Sequence, residues 1–130
     1  MNELFAAIYT RLNAQLTVNV YDQVPQDLSS ANYPFVRIDA IQTANNDTDS
    51  ENGFSATMQL VGFSQYRGAK EINTMVDSVY DALQHWAFPD TATYGISGIQ
   101  ETFKTIAVQP DGLTRNSVQQ YEIIFEKLPI

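Results

Sequence analysis

Apolar residues in the first segment of the chain recur at helical spacing. Leu4, Phe5, Ile8, Leu12 and Leu16 fall on one stripe, while Asn2, Glu3, Arg11 and Asn13 fall on the other side, which predicts an amphipathic helix over residues 2–15. The following run, LTVNVYDQV, is rich in β-formers and ends at Pro25, which removes a backbone donor. Residues 25–33 read as an irregular connection. YPFVRIDAIQT predicts a second strand with Val36, Ile38 and Ala40 on one face and Arg37 and Asp39 on the other. Residues 44–53 are dominated by Asn, Asp, Ser and Gly, whose side chains compete for backbone hydrogen bonds, and predict a mobile loop. FSATMQLVGFSQ predicts a third strand with Phe54, Ala56, Met58 and Leu60 on one face. Its apolar phase then moves to Val61 and Phe63, with Gly62 at the switch marking a bulge or a close backbone approach.

From Gly68, Ala69, Ile72, Val76, Val79 and Leu83 recur at alternating intervals of three and four, with Met75 and Tyr80 beside them, so a second helix is predicted. Pro89, Gly95 and Gly98 break the pattern. IQETFKTIAV and SVQQYEIIFEKL then predict two strands, the last with Tyr121, Ile123 and Phe125 inward and Gln120, Glu122 and Glu126 outward. Between them, Pro110-Asp111-Gly112 supplies turn chemistry for a hairpin, and Arg115 follows it. The order α-β-β-β-α-β-β, joined largely by short turns, predicts an α+β fold: a mostly antiparallel β-sheet with two helices packed on one face.

Composition narrows the function. With 130 residues and 44% apolar content, the chain suits one domain spanning residues 1–130. Fifteen acidic against seven basic residues give a net charge of -8, the wrong sign for holding a phosphate backbone. The absence of cysteine removes disulfides, thiol nucleophiles and thiolate metal sites. Glu3 and Arg11 interrupt the N-terminal run, which lacks the basic start of a signal peptide, and no apolar run approaches the about 20 residues that span a bilayer. The expectation is a protein made and used without secretion, with no membrane partner.

No candidate chemistry survives inspection. His85 is the only histidine and stands beside Trp86 at a predicted helix end, where an imidazolium meets the negative helix terminus favourably, a structural role. Asp77 and Asp81 are one helical turn apart but on the polar face, with no third ligand near them in sequence. DTDSENG opens like a calcium loop with Asp47, Asp49 and Glu51. The match then fails, because glycine comes one place late at Gly53 and Met58 stands where a bidentate Glu is needed. No phosphate-cradling loop, zincin helix or dinucleotide fingerprint is present. Neither enzyme activity, nor a cofactor, nor a metal is expected. Among the aromatics, Tyr33, Tyr66 and Tyr94 lie beside turns, where they suit either a protein interface or a loop anchor.

Three stretches taken together carry a family resemblance: YDQVPQDLSSANYPFVRI, FSQYRGAKEINTMVDSVYDAL and VQPDGLTRNSVQQYEIIFE. In order and spacing, after the opening helix LFAAIYTRL, they resemble the tail terminator, or tail completion, proteins of long-tailed bacteriophages. Gln109 stands where that family often has an aspartate, and Asn116 where a basic residue or histidine is frequent. The resemblance implies a structural protein forming a hexameric ring on the head-proximal end of the tail tube, located in the virion tail and assembled in the host cytoplasm. The implied partners are further copies of itself, the major tail tube protein and the head–tail connector or head completion protein, with DNA only as transiting cargo. A ring needs two different complementary patches. Arg67 and Gly68 at the strand-to-helix junction, with Asp111, Gly112 and Arg115 at the hairpin, are the candidate subunit contacts. The acidic loop with Asp47, Asp49 and Glu51 is the candidate channel-facing or partner-facing element. The alternatives are a head completion or adaptor protein at the same joint and a small acidic cytosolic ligand-binding domain.

Overall fold

The computed structural model describes residues 2–22, 33–45, 53–84, 86–91 and 93–127. In chain order the elements are α1 (Asn2–Gln15), β1 (Asn19–Tyr21), β2 (Phe35–Asn45), β3 (Gly53–Ser64), α2 (Lys70–Leu83), β4 (Tyr94–Val108) and β5 (Arg115–Lys127). The strands form one sheet in the order β1-β2-β3-β5-β4. Only the β1–β2 pair is parallel; the pairs β2–β3, β3–β5 and β4–β5 are antiparallel. The fold is α+β, as the periodicity predicts.

Both helices bury their apolar stripe against the same face of this sheet. Leu4, Ile8 and Leu12, spaced four apart along α1, are fully buried, and each contributes about 1.5–3 kcal/mol by leaving water. They join Ile72, Met75, Val79 and Leu83 of α2 in one core with Val36 and Ile38 of β2, Ala56, Met58 and Leu60 of β3, Ile99 of β4, and Tyr121, Ile123 and Phe125 of β5. The register explains this membership: Ala56, Met58 and Leu60 stand opposite Ile123, Tyr121 and Gln119, so every second residue points to the helices.

Several boundaries differ from the predicted ones. The first strand covers only Asn19–Tyr21, because Leu16 continues the helical ladder by donating its N–H to the Leu12 carbonyl. In β2 the register shifts between Ile38 and Ala40, so that Ile41 pairs with Met58 and strict alternation through Ala40 does not hold. Residues 44, 45 and 53 belong to strands, where a loop is predicted; the rest of that loop lies outside the described residues. Gly62 is no bulge, since Val36, Gly62 and Ser117 pair without a shift. It is a close approach instead: a Cβ there would lie 2.6 Å from Ser117 Oγ and 3.4 Å from Met75 Cε. The apparent phase switch is the second face of the same strand, where Phe63 stacks on the buried Phe35 at 4.9 Å. Finally, Gly95 and Gly98 lie inside β4, which absorbs register shifts at Ile96/Gly98 and Glu101/Phe103.

α2 crosses the sheet obliquely. Near its start, Glu71 Oε1 accepts a 2.6 Å hydrogen bond from Ser64 Oγ at the end of β3. Just past its end, Gln84 Oε1 accepts 2.7 Å from the N–H of Glu101 in the middle of β4. The outer part of β4 therefore extends beyond the helix layer. No helix of the described residues is long and apolar enough to cross a membrane.

Candidate functional site

The two runs proposed as subunit contacts, distant in sequence, meet at one end of the sheet. Ser64 pairs with Arg115 across β3 and β5, which puts the turn after β3 beside the β4–β5 hairpin. Gln65 Nε2 donates to Thr114 Oγ1 at 3.4 Å, and Arg115 Nη1 donates to the Tyr66 carbonyl at 3.5 Å. Each turn contains a glycine in the left-handed region: Gly68 with φ 91° and Gly112 with φ 72°. A side chain at either position would strain the backbone, so these residues shape the surface and do not touch a partner through side chains.

Asp111 organises the hairpin loop. Its Oδ1 accepts from the N–H groups of Leu113 at 2.9 Å and Thr114 at 2.8 Å, and its Oδ2 accepts from the Thr114 hydroxyl at 2.7 Å. The Thr114 hydroxyl, followed by the two backbone donors, holds this carboxyl below the ordinary aspartate range. The loop closes on the Gln109 carbonyl, which accepts from the Gly112 N–H, and on the Gln109 N–H, which donates to the Thr114 carbonyl. Asp111 is thus occupied by its own turn, an Asx-type arrangement. Arg115 is the first residue of β5, below the loop tip, and Arg67 is exposed.

Sequence reasoning missed the apolar part of this surface. Tyr66 is 51% exposed, and on the hairpin Phe103, Ile106, Val108 and Leu113 are 49%, 39%, 52% and 43% exposed. An alternating pattern signals a strand but not where its cover ends, so residues 103–108 read as any half-buried strand. Of the three turn tyrosines, only Tyr66 stands out in solvent; Tyr33 packs on Phe35 at 5.1 Å and Tyr94 packs edge-on against Phe125 at 5.1 Å.

A second polar cluster is internal. Glu101 Oε2 accepts from Gln119 Nε2 and from the Tyr121 hydroxyl, both at 3.1 Å, and Gln119 Nε2 also reaches the Val76 carbonyl at 3.2 Å. Burial, reinforced by the Glu101 carboxylate, pushes the Tyr121 phenol well above its ordinary value. With Tyr121 and Gln119 sealed beneath α2, this network braces the β4–β5–α2 junction and offers no access to a substrate. Among the described residues no group of three His, Asp or Glu side chains could hold a metal ion. Asp47, Asp49, Glu51 and His85 lie outside the described residues. Trp86 beside His85 stacks on Phe88 at 4.2 Å with Arg11 over its ring at 5.3 Å, an α1-to-α2 anchor.

The described residues thus form a helix-covered, mostly antiparallel sheet with an exposed apolar hairpin end and a polar network beneath α2. Residues 4–126 match the model of the family tail completion protein gp17. The chain belongs to that family and is a structural protein of the phage tail, in a class of virion proteins that is typically non-enzymatic. Among solved structures, a chain from the virion of a native gene transfer agent (GTA) particle superposes with a TM-score of 0.83 at 17% identity, covering 96% of each chain. No curated protein matches.

Proposed function

We propose that the protein forms a ring, six copies in number, on the head-proximal end of the tail tube, ending tube growth and presenting the surface that joins the head. The observation that carries this reading is the family match over residues 4–126. The fold shared with a chain of a phage-like virion supports it, and so does the exposed end where the two turns meet. In this reading residues 1–130 act as one unit, whose partners are further copies of itself, the tube protein and the head-side connector.

Arg67 and Arg115 are the guanidinium groups at that end. A guanidinium beside exposed apolar side chains is suited to bidentate contact with carboxylates of a neighbouring chain, while Gly68, Asp111 and Gly112 hold the two turns in shape. The test is a double substitution, Arg67→Ala with Arg115→Ala, scored by the fraction of tails that join heads and by the mass of the isolated protein. Joining is expected to fall at least about tenfold, as for loss of well-placed charge-assisted contacts, and the isolated protein to lose its ring mass for that of the monomer. The melting temperature is expected to stay unchanged. Normal joining in the double variant removes these residues from the interface.

A further inference from the structure

Four of the exposed large apolar side chains, Phe103, Ile106, Val108 and Leu113, stand on the outer part of β4 and the loop after it. Among the described residues β4 pairs only with β5, so its other edge is open. Natural proteins blunt such edges with charge, proline, shortness or a cover. From Thr102 to Val108 this strand has one charge, Lys104, and no proline. Such a surface is a docking element unless something else covers it.

The same molecule carries a receptor of matching character. A groove of about 330 Å³ opens between the end of α1, the start of β2 and α2, walled by Leu16, Val18, Pro34 and Met75, with Lys70 and Glu71 beside them. Backbone pairing fixes its place relative to the hairpin. One row of partners runs Phe35, Phe63, Asn116, Ala107 across β2, β3, β5 and β4. Pro34 in the groove precedes the first of these residues, and Val108 follows the last. The groove, at β2, and the exposed strand end, on β4, therefore share one level along the strands, with Tyr66 on the groove's wall nearer the hairpin. Ile106 and Val108 also point to the helix side, since their partners Ser117 and Arg115 stand opposite Gly62 and Ser64 on that face. Leu16 and Met75 of the groove belong to the helix layer on that side.

We propose that Ile106 and Val108 of one copy seat in the Leu16–Val18–Pro34–Met75 groove of the next, an inference that rests on the ring reading above. Two different patches at one level repeat by pure rotation about an axis along the strands, and a rotation without rise closes, where an offset in level would build a helix. Charge does not decide the pairing: Lys104 is held by Glu101 of its own strand at 4.0 Å, Asp111 is occupied by its own turn, and the groove sets Lys70 beside Glu71, so apolar contact carries it.

The absence of native cysteine makes the test direct. Thr17, exposed at the groove, and Val108 are each changed to Cys. Three strand spacings, roughly 14 Å, separate the two sides, beyond the about 7 Å that a disulfide spans between Cα atoms, so a chain cannot close on itself. Mild oxidation of the double variant is expected to give a covalent ladder ending at the copy number of the ring, whereas each single variant stays a monomer on a denaturing gel. Covalent dimers from Val108→Cys alone mean that β4 meets β4 about a two-fold axis, and overturn the proposal. A ring by mass for the unmodified protein without a ladder from the double variant overturns the contact but leaves the ring reading standing. A monomer both alone and with purified tail tubes removes the ring reading itself and this inference with it. Independently, Val108→Asp is expected to weaken self-association at least about tenfold by placing an unpaired charge in an apolar groove, with an unchanged melting temperature. Unchanged association overturns the proposal.

Discussion

One strand of this protein lives in two environments. From Tyr94 to Glu101, β4 runs under the helix layer: Ile99 belongs to the core and Glu101 to a sealed polar network. From Thr102 to Val108, every residue is exposed. The cause is the oblique path of α2, which reaches the sheet at Ser64 and leaves it at Glu101. Composition does not separate the halves, since both carry β-branched side chains on the helix side. What separates them is cover, and cover is a tertiary property. The inner half holds the fold together; the outer half is left for other chains.

The same residue type on the same face tests this contrast most sharply. Ile99 is 7% exposed and Ile106 39%. Ile99→Ala is expected to lower unfolding stability by about 2–5 kcal/mol, as transfer and cavity costs add, read from urea denaturation of the isolated protein. Ile106→Ala is expected to change it by less than about 0.5 kcal/mol. Equal costs would show that the outer half is packed, and the comparison would fail.

A smaller effect probes the polar part of the inner half. Tyr121→Phe removes a donor to Glu101 and is expected to cost about 1 kcal/mol, because a half-buried carboxylate loses one of its partners. The pH dependence has a definite sign. The folded phenol titrates above its ordinary 10.0, so its contribution is complete below that value and is lost as pH rises past it, when the unfolded tyrosine ionises and the folded one does not. Denaturation midpoints of the parent chain should therefore fall above about pH 10 more steeply than those of Tyr121→Phe. Parallel curves would mean that the hydroxyl is not sealed.

Much of this was legible in the residues. The stripe Leu4, Ile8, Leu12 and the three-four spacing of Ile72, Val76, Val79 and Leu83 identify both helices, because helical burial writes itself into sequence at short range. The alternation of Tyr121, Ile123 and Phe125 identifies the inward face of β5 in the same way. Misplaced boundaries trace to long-range effects: Gly95 and Gly98 read as breakers, but pairing with β5 carries the strand through them. Gly62 could be read only as a bulge or a close approach, and the choice depends on Ser117 and Met75, distant in sequence. At the candidate site, Arg67, Gly68, Asp111, Gly112 and Arg115 could be picked out as turn and charge residues. Their meeting was not legible, since it follows from the β3–β5 register. The exposed Ile106 and Val108 were hidden for the opposite reason: a strand pattern looks the same whether or not a helix covers it.

The smallest effect belongs to the outer region, where Asp111 faces solvent while bonding its own loop. Its carboxyl is held below the ordinary 3.8, first by the Thr114 hydroxyl and then by the backbone N–H groups of Thr114 and Leu113. A depressed folded value means that the turn's stabilisation is complete above 3.8 and is lost as pH falls through the lower folded value. Because the loop lies outside the core, acid should release it locally while the sheet persists. The amide signals of Leu113 and Thr114 should shift and exchange faster in that acid range, with the amides of Tyr121 and Ile123 unmoved. Asp111→Asn keeps an acceptor oxygen for the two amides but cannot titrate in this range, so its Leu113 and Thr114 signals should stay flat over the same span. If Tyr121 and Ile123 respond together with Leu113, the hairpin end and the core form one cooperative unit. The outer half of β4 would then be a continuation of the fold, and the division drawn between the two halves would have to be given up.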